Sequence, residues 1–344
     1  MMRSRYGTLN LCRGHRFSES VLGQRTSPYL QEKLVLPGSE HVFGAIPDLA
    51  ESLLGISVNA SSVFRACQAV SNQIEPADLQ ATSPQLSTRL ADPQQTIYGM
   101  FDGSFLLTTD GWQEINRAGV PVGRVFGAYP YSGVATKELR WTMGDSEYVA
   151  HRGHYTKFTS AFEELLPPQS PAQKVLLSDG AAWIGIWAAL TYPDAVHILD
   201  LFHVLEKVAV VAQDAPEPES WFEQQKQALL ASQLADVLVA IDAIACRDKP
   251  HQAQIRSYLL NHGHQMDYAT YRSRGWMVVP GWRSSGPIES AHRTVLQVRM
   301  KRSGQRWSEK GCDKMVQLRV AYRSGKAKLI TDAFRKRKIS ITQD

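Results

Sequence analysis

Cysteine is scarce and unpaired: Cys12, Cys67, Cys246 and Cys312 are scattered over 344 residues without a CxxC spacing. That argues against a disulfide framework or a cysteine zinc site and points to a reducing compartment, the cytoplasm. Long apolar runs are also missing. The charge-free stretch from Gly180 to Pro193 is closed at once by Asp194, well short of the about 20 apolar residues that a helix needs to cross a bilayer. It reads as a core segment, and no membrane partner is expected. The first residues, MMRSRYGTLNLCRGHR, are basic but contain no apolar h-region, so they do not read as a secretory signal. Internal repeats and low-complexity tracts are absent as well. With 43% hydrophobic and 21% charged residues, the chain has enough apolar surface to offset the entropy of ordering, which excludes a largely disordered protein. At roughly 100–200 residues per domain, two or three structural units are expected.

What the chain does have is an uneven distribution of charge. From Glu289 to Lys338 there are fifteen Lys or Arg against four acids, a net +11. The whole chain carries +5, so the remainder carries −6. A concentrated basic end on an acidic body suits a polyanion, because each neutralised phosphate releases counterions. A solvated helical face with a charged tail fits the same composition.

Residues 47–54 (PDLAESLL) read as a short helix with Pro in its first turn. Gly55 stops it, and Ser57 or Asn59 caps a second helix over residues 61–72. The expected inward stripe is Leu49, Leu53, Leu54, Ile56, Val63, Phe64, Cys67 and Val70. A helix, a glycine turn and a second helix carrying Arg65 and Gln68 is the pattern of a helix-turn-helix, although such hairpins are also common in cores. Residues 1–73 are therefore taken as a helical N-terminal region. Residues 74–95, rich in Pro, Ser, Gln and Thr, read as a linker or a loosely packed crossing segment. Residues 96–108, 112–116 and 123–129 then read as strands, rich in β-branched and aromatic residues. Residues 147–166 read as a helix. The strand 174–178 (KVLLS), a helix over 181–190, the strand 195–199 and a helix over 202–213 follow. Hairpins followed by alternating strands and helices argue for a mixed sheet in a three-layer α/β domain. Residues 217–274 carry no strand-like run and read as three or four helices. Residues 288–299 and 307–322 read as helical again.

Three acids stand out. Asp102 is embedded in an apolar strand, and Asp179 ends the strand 174–178. Ligands of α/β sheets gather outside the carboxyl ends of strands. Ionised carboxylates in apolar surroundings need a counter-charge or a metal, and two of them suit a hard cation such as Mg²⁺. The alternatives are that Asp179 caps the next helix and that Asp102 is solvated in a bulge. Glu289 opens a helix just ahead of Arg293, Arg299, Lys301, Arg302 and Arg306, where the helix dipole alone could account for it.

FDGS (101–104), SDGAAWI (178–184) with HILDLFHVLEKV (197–208), and GPIESAHRTVLQVRMKRSGQRWSEKG (286–311) resemble the three signature blocks of bacterial insertion-sequence transposases. These enzymes are of the DDE type, and the blocks resemble those of the ISKra-type group. The acids lie 77 and 110 positions apart, in the family's order. The resemblance implies an RNase H-like fold: a mixed five-stranded sheet flanked by helices, with core segments at 96–213 and 276–324. It also implies a helical insertion over 214–275 and a basic tail over 325–344. Asp102, Asp179 and Glu289 would be the catalytic, metal-binding triad for two Mg²⁺ or Mn²⁺ ions. Arg293, Arg299, Lys301, Arg302, Arg306 and Arg65 would contact double-stranded DNA, both insertion-sequence ends and target. The protein would cleave and join strands as a homo-oligomer on DNA, in the nucleoid-associated cytoplasm. His203 could reach the site, although a helix-start histidine packed beside the sheet is the blander account. Trp307 could stack on a base or belong to the core, and Asp200 reads as a helix cap, with a fourth acid as the alternative. Cys12-x-x-His15 and His151-x-x-His154 lack a second half and are assigned no metal. Family members often carry more sequence before the helical pair, which leaves a truncated or degenerate copy as one reading, while the survival of all three acids argues against long decay. A catalytically inactive DNA-binding remnant and an RNase H-like nuclease without joining activity are the competing readings.

Overall fold

The computed structural model describes residues 2–4, 7–9, 27–103, 106–109, 124–130, 147–151, 155–277 and 292–335. It is a mostly helical α/β structure built on three parallel strands. After a short antiparallel hairpin, β1 (Met2–Ser4) and β2 (Gly7–Leu9), come five helices: α1 (Pro28–Glu40), α2 (Ile46–Leu54), α3 (Ala60–Ser71), α4 (Pro76–Gln80) and α5 (Pro84–Leu90). The strands are β3 (Thr96–Gly103), β4 (Arg124–Pro130), β5 (Glu147–His151), β6 (Gln173–Ser178) and β7 (Val196–Leu199), in the sheet order β5-β4-β3-β6-β7. β3, β6 and β7 run parallel, and β4 and β5 extend the sheet antiparallel.

Alternation along β3 divides the core. Ile97 and Phe101 face α6 (Tyr155–Leu165) and α7 (Ala182–Thr191), where Phe101 packs against Phe158, Phe162 and Trp187. Tyr98 and Met100 face α8 (Leu201–Ala212) and the helices α9 (Pro218–Leu230), α10 (Leu234–Asp242), α11 (Lys249–Asn261) and α12 (Tyr268–Ser273). Gly99 permits this closeness, because a Cβ there would lie 2.8 Å from Phe162 and from Leu176. Residues 217–274, expected to form three or four helices, form these four, which cover one face of the sheet.

The third core joins the two ends of the chain. α1 and α3 pack against α13 (Glu309–Arg323) and α14 (Ala327–Arg335), and α13 also lies on β5. The predicted capping of the N-terminal pair holds: Gly55 ends α2 at φ 64°, and Asn59 Oδ1 accepts from Ser62 N at 2.7 Å. Its inward stripe does not hold throughout. Val63, Cys67 and Val70 are buried, whereas Leu49, Leu53, Leu54 and Phe64 are exposed. α2 lies at the rim and presents only Ile46 and Ala50 inward.

Three further expectations are corrected. Residues 74–95 form no free linker, because α4 and α5 bury Leu79, Leu86 and Leu90. The helix expected from 147 begins as strand β5, whose first three residues alternate buried, half-buried and buried. The basic tail from 325 starts with α14, which buries Ile330, Ala333 and Phe334. The strand expected at 112–116 lies outside the described residues. No helix among the described residues is long and apolar enough to cross a membrane.

Arg319 holds this third core together. Its fully buried guanidinium donates to the carbonyls of Ser39, Thr294 and Val295 and lies 3.3 Å from Glu40. Burial pulls its pKa below the usual arginine value, while Glu40 opposes the shift. Arg323 reaches the same carboxylate at 2.7 Å from a half-exposed position. Arg319→Leu, which strands buried carbonyls, is expected to cost about 3–5 kcal/mol in urea unfolding. Arg323→Leu should cost under about 1 kcal/mol. Equal effects would show that burial does not set the importance of this pair.

Candidate active site at the carboxyl edge of the sheet

Parallel strands deliver their carboxyl ends to a single edge. The strand register pairs Met100 with Leu177 and Ser178 with Leu199. Asp102 stands two residues past Met100, opposite Val125 of β4. Asp179 stands two past Leu177, and Asp200 directly follows Leu199. Three aspartates therefore occupy one level on three neighbouring strands, about 4.8 Å apart from strand to strand. The backbone ladder continues to this level, with Asp200 N donating to Ser178 O at 2.8 Å.

Local chemistry fixes each turn. Asp179 Oδ1 accepts from Ala181 N at 3.0 Å, and Gly180 adopts φ 83°, a left-handed conformation that favours glycine. Asp200 caps α8 by accepting from Phe202 N at 3.1 Å and is only 4% exposed. The expected cap is therefore present, on a buried carboxylate at the same edge. His203 Nδ1 lies 3.1 Å from Glu206 and its Nε2 3.9 Å from Asp200. His203 thus adjoins the site and stays partly exposed.

The α11–α12 end of the insertion closes over this edge. Tyr258 OH donates to the Asp179 carbonyl at 2.8 Å, and Tyr268 OH donates to the Leu199 carbonyl at 2.9 Å. Burial first, then the charges of Asp179 and Asp200, push the Tyr258 phenol up; burial and Asp200 do the same for Tyr268. Both therefore remain donors. Behind the turn, His197 bridges Ser178 Oγ at 2.8 Å and Gln265 at 3.0 Å. The sequence offered no sign of Tyr258 or Tyr268. Asp200 was legible, because KVLLSD and VHILD both end an apolar strand in aspartate.

Glu289 and the side chain of Asp102 lie outside the described residues. Among the described residues no group of three or more His, Cys, Asp or Glu could hold a metal ion. Asp179 and Asp200 supply hard oxygen donors of the type that suits Mg²⁺ or Mn²⁺, but two carboxylates do not make a complete set.

The basic residues separate into two groups. Arg293, Lys301, Arg302, Arg306 and, on α3, Arg65 are exposed. Arg299 is not available to DNA. It is 0% exposed, donates to Gly38 O at 3.2 Å and lies between the rings of Phe43 and Trp307, 4.6 and 5.0 Å from their centroids. Burial lowers its pKa to about 10. Trp307 is not a base-stacking platform either: it is 5% exposed, and its Nε1 donates to Met300 O at 3.1 Å. Its backbone pairs with Leu107 and Thr109, just past β3. The exposed run 301–306 is thereby tied to the chain leaving the strand that carries Asp102.

Residues 163–337, just over half of the chain, match a family described as an uncharacterised protein family, UPF0236. No curated protein matches the chain.

Burial lowers the pKa of His197 to about 4 from the ordinary 6.5, helped by His264 and His262. Between these values the unfolded chain binds a proton that the native state refuses, so stability rises with pH. On acidification from about 6.5 to 4 the His197 contribution should fall by on the order of 3 kcal/mol. His197→Gln should flatten that part of the pH–stability curve from urea unfolding. An unchanged slope would show that His197 does not carry it.

Proposed function

The chain belongs to UPF0236, and we propose, from its signature blocks and the acids at its sheet edge, that it is a DDE-type transposase related to the ISKra-type group. The catalytic body would be an RNase H-like core. One observation carries this reading: β3 and β6 run parallel, and their last register pair, Met100 with Leu177, stands two residues before Asp102 and Asp179. In α/β sheets that edge is where ligands bind. The signature blocks FDGS, SDGAAWI and GPIESAHR support it from the sequence.

Asp102, Asp179 and Glu289 would hold two divalent ions, Mg²⁺ or Mn²⁺. When bound, such ions activate the attacking oxygen and stabilise the leaving oxygen in phosphodiester chemistry. Asp200, buried beside Asp179, deepens the negative field that draws cations to this edge. Arg293, Lys301, Arg302 and Arg306 would take DNA phosphates, with Arg65 on α3 as a more distant contact. The Trp307 pairing keeps the exposed run close to the exit of β3, so duplex and carboxylates would meet on one side. Hydrolysis would nick the insertion-sequence end, and the freed 3′-hydroxyl would then attack target DNA. The substrate is double-stranded DNA, and a homo-oligomer would bring two ends together.

The test is incubation with its own flanking DNA ends and Mg²⁺ or Mn²⁺, with products resolved on denaturing gels. Nicked and joined strands are expected; nicks alone would favour a nuclease. Asp102→Asn, Asp179→Asn and Glu289→Gln should each abolish cleavage and leave end binding intact. Cleavage by any of them at the wild-type rate overturns the triad. Replacing Lys301, Arg302 and Arg306 by Ala should weaken binding to all sequences and shallow the log–log salt slope by about 0.9 per lost phosphate contact. An unchanged slope returns these residues to the role of a solvated face.

A further inference from the structure

We propose that Tyr258 is a positioning residue for the carboxylate edge, by which the helical insertion holds the Asp179 turn in place. This inference rests on the metal-binding reading above and adds to it a residue of α11 that touches no reacting atom.

Asp179 sits between two elements. β6 ends at Ser178 and α7 begins at Ala182, so the Asp179 carbonyl lies beyond the strand ladder. Tyr258 OH supplies its donor at 2.8 Å. The fit is tight: a Cβ on Gly180 would lie 2.8 Å from Tyr258 OH and from Leu199 Cδ1. The tyrosine ring is itself held by two neighbours. His262, one turn along α11, packs at 4.7 Å between centroids, and Lys207 Nζ of α8 lies 4.5 Å from the ring centre. Lys207 belongs to the helix that Asp200 caps. Tyr258 thus links the Asp179 turn, the insertion and the helix that starts at the second acid.

Tyr268 repeats the device one strand over, on the carbonyl of Leu199 just before Asp200. Two phenols from α11 and α12 therefore hold the backbone at two consecutive strand ends. A metal site needs its ligands within about 0.5 Å of working geometry, held by a supporting shell of hydrogen bonds. A carbonyl released to water would free the turn and the Asp179 carboxylate with it.

Mn²⁺ titrated into the metal-free full-length protein, followed by the paramagnetic resonance of free Mn²⁺, tests this. Tyr258→Phe, which removes only the hydroxyl, should weaken binding roughly tenfold, the lower end of what losing an outer-shell partner of a metal ligand costs. Tyr192→Phe is the control, because it removes a similar hydroxyl–carbonyl bond, to Leu166 at 2.7 Å, away from the edge. It should lower the melting temperature by a similar amount and leave Mn²⁺ affinity unchanged. If Asp179→Asn loses Mn²⁺ while Tyr258→Phe binds like wild type, the positioning role is overturned and the metal site stands. If both tyrosine variants lose affinity together, the effect is general destabilisation and the inference also falls. If wild type binds no Mn²⁺, or Asp179→Asn binds as tightly as wild type, the metal reading fails and takes this inference with it.

Discussion

The parallel pairing of β3, β6 and β7 is the constraint on which the rest depends. Antiparallel neighbours alternate their ends between two edges, whereas parallel strands collect every carboxyl end on one. Each crossover helix must then start at that same edge. The turns after β6 and β7 carry aspartates: the Asp179 carboxylate accepts from Ala181 N in the turn before α7, and the Asp200 carboxylate accepts from Phe202 N at the start of α8. That interaction with the helix terminus stabilises a negative charge that would otherwise be costly so close to a core. Gly180, the two insertion tyrosines and the Ser178–His197–Gln265 chain all bear on this one edge.

Arginine is used in two ways within one basic stretch. Arg299 and Arg319 put their guanidinium groups into the core, against aromatic rings and helix-terminal carbonyls. A planar cation that is weakly hydrated tolerates this where an ammonium group would not. They fasten the N-terminal helices to the C-terminal ones, which is why residues 27–79 and 295–334 share a core despite their separation along the chain. Their neighbours Lys301, Arg302 and Arg306 face outward. The net positive charge of the segment is therefore larger than the charge it can offer a polyanion.

Much of the body was legible. KVLLS and the apolar strand after Tyr192 announce buried parallel strands, and Gly55 with Asn59 marks a helix break and a restart. The segment 147–151 reads as the start of a helix by local pattern alone, while its strand form is set by pairing with β4, more than fifteen residues earlier in the chain. The segment 74–95 looked like a linker because its few leucines are widely spaced, yet Leu79, Leu86 and Leu90 suffice to seat two short helices. At the site, Asp179 and Asp200 could be found from strand ends alone. Tyr258 could not be, since its role arises only when α11 folds across the sheet. Nothing in the spacing of arginines separates Arg299 from Arg302; which one is buried is decided by where Phe43 and Trp307 lie.

The most direct test of convergent acids is anomalous diffraction at the manganese edge from crystals of the protein soaked in Mn²⁺. Two peaks about 3.5–4 Å apart, outside the carboxyl ends of β3 and β6 and within ligand distance of Asp102, Asp179 and Glu289, are predicted. Manganese bound elsewhere, or an edge without a peak and with Glu289 turned away from the two aspartates, would contradict the account.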